Sequence, residues 1–325
     1  MIKVGIIGGA GYTGGEAVRI LLNHPDAELA YVQSTSNAGN PLWHVHTDLM
    51  GETDMLFSAD WNSDVDVMFI CSGHGEARKF LEANEIPSRV KIIDLSQDFR
   101  LAANARIGSR EFVYGLTDMN ADKIAKASNI ANPGCFATCI QLGILPLAAA
   151  GLLKGDVHIS ATTGSTGAGQ KPSSTTHFSW RANNLSVYKP FGHQHLLEIG
   201  ESVHGLMPSF SSEINFIPYR GDFPRGIFAS IYTECDLSQE EAVELYKKYY
   251  KDSPFTIVSD ENINMKQVVN TNKCLLHVEK HGNKVLVYST IDNLLKGASG
   301  QAVENMNIMF GLDRTAGLKL KASAF

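Results

Sequence analysis

Apolar residues in the first third of the chain fall in short unbroken runs, with polar residues gathered in the turns and helical stripes between them. Lys3-Val4-Gly5-Ile6-Ile7-Gly8 reads as a buried strand, Gly14 to Asn23 as a helix stopped by Pro25, and Glu28 to Gln33 as the next strand. Val65 to Cys71 and Val90 to Leu95 are further continuous runs, separated by a helical pattern from Glu76 to Asn84. Strands that are apolar without alternation are covered on both faces, as in parallel sheets with crossover helices. The βαβ alternation predicts an α/β fold built on a Rossmann-type doubly wound parallel sheet.

The second half has a different pattern. Val157 to Thr163, Glu213 to Ile217, Ile227 to Cys235, Leu275 to Glu279 and Lys284 to Thr290 are strand-like, the last two joined by a His281-Gly282-Asn283 turn. Ser238-Gln239-Glu240-Glu241 is a capping box that opens an amphipathic helix running to about Lys251. These features predict an α+β domain with a mostly antiparallel sheet. A last helical pattern, Ala298 to Phe310, is expected to return to the first domain, giving residues 1–146 with 298–325 as one domain and 147–297 as the other.

Composition narrows the partners. A chain of 325 residues with 44% hydrophobic content is long enough for two ordinary cores. The net charge is -6 and no extended Lys/Arg cluster occurs, so neither nucleic acid nor a membrane is an expected partner. Five cysteines at irregular spacing make no disulfide framework and read as those of a reduced cytoplasmic protein. Met1 is followed at once by a strand pattern, so no leader peptide is expected. Ile140 to Leu153, interrupted by Gln141 and Pro146, falls short of the roughly 20 residues a membrane helix requires.

Several clusters carry chemistry. Gly8, Gly11 and Gly14 form a G-x-x-G-x-x-G series between strand and helix, spaced so that backbone amides approach a pyrophosphate. The second strand ends in Gln33-Ser34-Thr35-Ser36 with no carboxylate for a ribose 2′-hydroxyl, which favours NADP over NAD. In Asn132-Pro133-Gly134-Cys135 a thiol stands at the start of an apolar helical run, where unpaired amides and the helix dipole favour thiolate. Cys135 is the candidate nucleophile, and Cys139, one turn further in, is assigned to packing. Gly164 to Lys171 follows a strand and reads as a cradle for an anion or the nicotinamide end of a cofactor, or as a mobile surface loop. Gly192 to Glu198 sets His193 and His195 on one side of an extended segment, with Glu198 placed to orient His195. An imidazole moving protons near neutral pH is the simpler reading, because no Cys or His cluster completes a metal site. Arg100 closes the turn after the fourth strand and either clamps a phosphate or pairs with Asp98 at the surface.

Together these motifs resemble the N-acetyl-γ-glutamyl-phosphate reductases of arginine biosynthesis, relatives of the aspartate-semialdehyde dehydrogenases. The matching stretches are Gly8 to Gly14, Asp94 to Arg100, Tyr114-Gly115-Leu116, Asn132 to Cys135, Gly164 to Gly169, Tyr188-Lys189, His193-Gln194-His195 with Glu198, Arg225-Gly226, Asp292-Asn293-Leu294, Lys296-Gly297-Ala298 and Gly300-Gln301. They run in the family's order along nearly the whole chain. The resemblance implies that Cys135 attacks an acyl phosphate and that NADPH supplies the hydride. It also implies that His195 or His193 exchanges the proton, and that Arg100 binds the inorganic phosphate. Glu198, Lys189 and Arg220 are assigned to the substrate or phosphate, and Gly8, Gly11, Tyr12, Thr13, Gly14, Ser34, Ser36, Ser72, Gly167, Ala168 and Asn293 to the cofactor. The resemblance further implies a homodimer or homotetramer.

Two stretches depart from the family pattern: Phe216 to Gly226, which lacks the usual Pro-His-Leu before Arg-Gly, and Gln170-Lys171 after the glycine-rich loop, where an arginine is common. Arg220 is an extra cation, read either as a surface residue or as a partner for the second carboxylate of an N-succinyl substrate. Other acyl phosphates, aspartyl or carrier-linked aminoadipyl, and a non-catalytic NADP-binding sensor are the alternatives.

Overall fold

The structure, a computed structural model, describes residues 1–324. The chain divides into two compact units, residues 1–133 with 298–319, and residues 134–297 with the segment from Leu320 on.

The first unit is built on β1 (Ile2–Ile7), α1 (Tyr12–Leu21), β2 (Ala27–Gln33), β3 (Val67–Ile70), α2 (Glu76–Ala83) and β4 (Lys91–Asp94), continued by strands Asn129–Ala131 and Val113–Tyr114. The sheet order is β2, β1, β3, β4, Asn129–Ala131, Val113–Tyr114, and every junction is parallel. All of Val67–Ile70 is buried, as the unbroken apolar run requires of a strand covered on both faces. Because β2 and β3 flank β1 on opposite sides, the carboxyl ends of β1 and β3 form a switch point, where such sheets bind ligands. Helix α1 starts at Tyr12, two residues ahead of the sequence expectation, with Gly11 as its extended N-cap. The returning helix, Gly300–Met309, lies in this unit as expected.

The second unit carries a seven-stranded sheet in the order Ser186–Val187, Ile214–Arg220, Val157–Thr163, Ile227–Glu234, Lys284–Ile291, Cys274–His281, Thr256–Ser259. Two of its junctions are parallel, so the sheet is mixed and mostly antiparallel. Ile227, Ala229, Ile231 and Thr233 point inward and alternate with outward Phe228, Ser230, Tyr232 and Glu234.

The helix Cys135–Ala149 packs on this sheet so closely that a Cβ on Gly143 would stand 2.5 Å from Ile231 Cδ1. That packing explains why the division falls at 133/134 and not at the expected 146: the whole helix goes with the second unit. Pro146 lacks an N–H and orphans the carbonyl of Leu142, one turn back. The Tyr250 hydroxyl donates to that oxygen at 2.6 Å, and Tyr246 donates to Gly143 O at 2.6 Å. The capping box is present: Ser238 Oγ accepts from Glu241 N and Glu241 Oε2 accepts from Ser238 N, opening helix Gln239–Tyr249.

Candidate active site

The cofactor-binding elements of the first unit surround the start of α1. Gly8 has φ of 73°, and a Cβ there would meet Ser72 N at 3.0 Å, so only glycine lets β1 turn beside the end of β3. A Cβ on Gly14 would lie 2.6 Å from Gly9 O, which keeps the helix close to the turn. The Ser72 hydroxyl is a buried oxygen with no hydrogen-bond partner among the described residues, beside a turn a dinucleotide pyrophosphate would occupy. Glycine cradle, first-turn amides and orphan hydroxyl fit such a group. Tyr12 is exposed at the helix start, and Thr13 bonds the buried Cys71 thiol, which burial pushes up to about 12. At the end of β2, Asn37 Nδ2 donates to Ser34 Oγ at 3.2 Å and Ser36 Oγ at 3.1 Å, a cluster without a carboxylate.

Arg100 is buried, not a surface ion pair. Its Nε donates to Asn132 O at 2.8 Å and its Nη2 to Leu95 O at 2.9 Å, bracing the segment that leads to Cys135. Asp98 accepts instead from the amides of Gly75 and Arg78 at the start of α2. Burial pushes the Asp94 carboxyl beneath this turn up to about 7, opposed by the amide and hydroxyl of Ser96 and by the charge of Arg100.

In the second unit Cys135 is the first residue of its helix, with Gly134 as N-cap. Cys139 is fully buried, its thiol 3.4 Å from Ser289 Oγ and pushed well up by burial, which suits packing. His195 opens a helix, His195–Leu206, and not the expected extended segment. Glu198 then lies on the same face one turn on: its Oε2 accepts from Gly134 N at 2.9 Å and its Oε1 stands 4.0 Å from His195 Nε2. One buried carboxylate thus stands between the amide of Gly134, which precedes Cys135, and the imidazole of His195.

His193 and His195 have ring centroids 4.6 Å apart, and His193 Nδ1 accepts from His195 N–H at 3.2 Å. Phe136, Tyr188 and Phe216 enclose His193 at 5.5, 5.7 and 5.6 Å. Burial, joined by the charges of Lys189 and Arg220, lowers the His193 pKa to about 4, so it is a neutral acceptor at neutral pH. Lys189, exposed, donates to Gln194 Oε1 at 3.2 Å. The Arg220 guanidinium lies over the Tyr188 ring at 4.5 Å and is half-buried, so it is not a free surface arginine.

The glycine-rich loop is not an open amide cradle. Gly164, Ser165 and Thr166 N–H donate to Gly226, Phe223 and Pro224 carbonyls at 2.9, 2.9 and 3.1 Å, and Gly167 N–H donates to Gly164 O. Asn293 is buried and used internally: Oδ1 accepts from Gly226 N at 2.8 Å and Nδ2 donates to Thr166 Oγ1 at 3.0 Å. It holds the loop that carries Gly167 and Ala168. The buried Thr163 hydroxyl, without a hydrogen-bond partner among the described residues, lies beside Gly167.

Sequence reasoning missed the pair behind this arrangement. Arg225 donates to Asp292 through Nε at 3.0 Å and Nη2 at 3.1 Å, and the buried Asp292 also accepts from the amides of Asn270, Leu294 and Leu295. Those bonds set the π-helical turn Leu295–Ser299, whose Gly297 backs Cys135: a Cβ there would stand 2.9 Å from Cys135 Cβ. Gly134 is equally constrained, since a Cβ would lie 2.6 Å from His195 Cε1 and 2.7 Å from Cδ2. Gly134→Ala is therefore expected to displace the imidazole and lower kcat about 100-fold, with thermal unfolding little changed. Steady-state kinetics beside a melting curve checks this, and near wild-type kcat would refute the geometry.

A parallel-sheet unit with a dinucleotide-type turn, joined to a unit presenting a helix-start thiol beside an oriented imidazole, defines a thiol-dependent dehydrogenase of the semialdehyde dehydrogenase class. Residues 3–127 match the family model for the semialdehyde dehydrogenase NAD binding domain, and residues 135–293 that for its dimerisation domain. Solved aspartate semialdehyde dehydrogenases share the fold: one from Vibrio cholerae, complexed with ASA, has a TM-score of 0.72 at 17% identity, over 96% of this chain and 98% of that one. Another, from Francisella tularensis, has a TM-score of 0.69 at 18% identity, over 95% and 100%. Curated N-acetyl-γ-glutamyl-phosphate reductases from Phocaeicola vulgatus and Flavobacterium johnsoniae are 56% and 58% identical, over 100% of both chains in each case. The chain belongs to the N-acetyl-γ-glutamyl-phosphate reductase family.

Proposed function

We propose that this chain reduces N-acetyl-γ-glutamyl phosphate to N-acetylglutamate 5-semialdehyde with release of inorganic phosphate, in arginine biosynthesis. The observation that carries the reading is the Cys135 thiol at a helix start, with Glu198 bonded to the preceding amide and facing His195. His195 takes the Cys135 proton as the sulfur attacks the acyl carbonyl, and phosphate leaves with the electrons of the broken C–O bond, giving a thioester. The Gly8 to Gly14 turn would hold NADPH, which would supply the hydride for this carbonyl. The sulfur then departs as the aldehyde forms and recovers its proton from His195. Ser34, Ser36 and Asn37, with no carboxylate beside them, accommodate a 2′-phosphate and account for NADP. The dimerisation-domain match supports a homodimer or homotetramer, and a biosynthetic role supports a cytoplasmic location. None of the described helices is long and apolar enough to cross a membrane.

The half-buried Arg220, stacked on Tyr188, favours a second reading of the acyl group as N-succinyl, because it offers a cation to a second carboxylate. One assay tests both: phosphate-dependent NADP reduction with the N-acetyl and N-succinyl semialdehydes. Absence of phosphate-dependent turnover with either would overturn the reaction. If Arg220 reads the acyl group, Arg220→Ala lowers the succinyl-to-acetyl ratio of kcat/KM about tenfold or more, the effect of losing one charge-assisted bond. An unchanged ratio ends the succinyl reading.

A further inference from the structure

The peptide at Gly9, where β1 gives way to the glycine turn, is held from three sides. Its N–H donates to Gln33 O at 2.9 Å, Gly14 packs on its carbonyl, and that carbonyl accepts a bond from His46 Nε2 at 2.8 Å. A carbonyl oxygen only accepts, so the ring carries its proton on Nε2. His46 comes from the connection between β2 and β3 and is buried, with the Phe57 ring 6.1 Å away. Its other edge rests on Gly15, where a Cβ would stand 2.5 Å from Cε1 and 2.6 Å from Nδ1. Gly15 lies outside the Gly8, Gly11, Gly14 series, and the imidazole is the reason a side chain cannot occupy it. Two residues further on, Asp48 Oδ1 accepts from Arg19 Nη2 at 2.6 Å, and Arg19 also bonds Glu16. The 46–48 segment therefore grips α1 at its first turn and again further along the helix. Burial, opposed by the bond to Gly9, lowers the His46 pKa, which keeps the ring a neutral single donor.

We infer that His46 is a positioning residue for NADPH: by holding the Gly9 carbonyl on the closed side of the turn, it aligns the first-turn amides of α1 for the pyrophosphate. First-turn amides have no partner within their own helix, and their value to an anion depends on convergence that a flexible glycine turn does not enforce alone. The imidazole supplies that constraint from outside the motif. The inference rests on NADPH being the ligand of this turn.

The test is the dissociation constant of NADPH for the full-length protein, read from the change in nicotinamide fluorescence on titration without substrate. His46→Gln keeps an amide N–H within reach of Gly9 O, whereas His46→Asn is too short. The expected result is binding within about threefold of wild type for Gln and about tenfold weaker for Asn, the cost of one buried carbonyl losing its donor. Gly15→Ala, which leaves the donor intact and pushes the ring aside, is expected to weaken binding as Asn does. In steady state the loss appears in KM for the cofactor, with kcat at saturating cofactor held within about twofold. Equal NADPH affinity in the wild-type, Gln and Asn proteins would overturn the role, as would a folded Gly15→Ala protein that binds like wild type. Failure of the wild type itself to bind NADPH would instead overturn the cofactor reading.

Discussion

Cys135→Ser is expected to lower phosphate-dependent NADP reduction by about four orders of magnitude or more, while leaving NADPH binding within about twofold. The serine hydroxyl has nearly the shape of the thiol and would sit in the same space against Gly297, so the loss is chemical and not structural. What it lacks is a readily ionised group, since a thiol is a far stronger acid than an alcohol and the thiolate is the form that attacks. Cys139→Ser is the internal control. That thiol is fully buried against Ser289 and its substitution touches packing, so any effect appears in the melting temperature with kcat retained. Rapid mixing of enzyme with the acyl phosphate, following phosphate release before NADPH is added, separates the two steps. Wild type should release about one phosphate per active site in a burst, and Cys135→Ser none. A burst in the serine protein would remove Cys135 from the role of nucleophile.

The parts of this molecule that could be read along the chain are those whose physics is local. Val67–Ile70 is buried on both faces and its sequence is an unbroken apolar run; Ile227–Glu234 is buried on one face and alternates; the Ser238 capping box states its own hydrogen bonds. The helix-start thiol was legible for the same reason, since a Cys beside Pro-Gly at the head of an apolar run needs no distant partner to be noticed. What escaped depends on partners far away in sequence. Arg225 and Asp292 are 67 residues apart, and without knowing that they pair, the turn carrying Gly297 has no visible cause. His46 meets Gly9 across 37 residues and has no periodic signal at all. The Gly164 to Gly169 loop read as either a cradle or a mobile surface loop, because its composition suits both. Only the carbonyls of 223–226, which take up its amides, show that it is a tied structure. The helix beginning at His195 was misjudged because its start is marked by neither Ser, Thr, Asp nor Asn at the cap.

The two histidines, inseparable by sequence, are expected to part company in the laboratory. His195→Asn should lower kcat about a thousandfold, the scale of a lost proton-transfer group, because Glu198 orients this ring beside the residue that precedes the thiol. His193→Asn should cost no more than about tenfold, because the asparagine Oδ1 can still accept from His195 N–H in place of Nδ1. The second ring should declare itself instead in stability. Its pKa falls from 6.5 to about 4 on folding, because the aromatic cage and the Lys189 and Arg220 charges disfavour the imidazolium. The unfolded chain then takes up a proton that the folded chain refuses. The contribution is fully present above pH 6.5 and is progressively lost as pH falls toward about 4. Denaturant unfolding of wild type and of both variants across that window should show His193→Asn with a flatter acid-side decline and His195→Asn with a decline like wild type. If His193→Asn loses more activity than His195→Asn, the roles are reversed, and the neutral, caged ring would have to be the group that moves the proton.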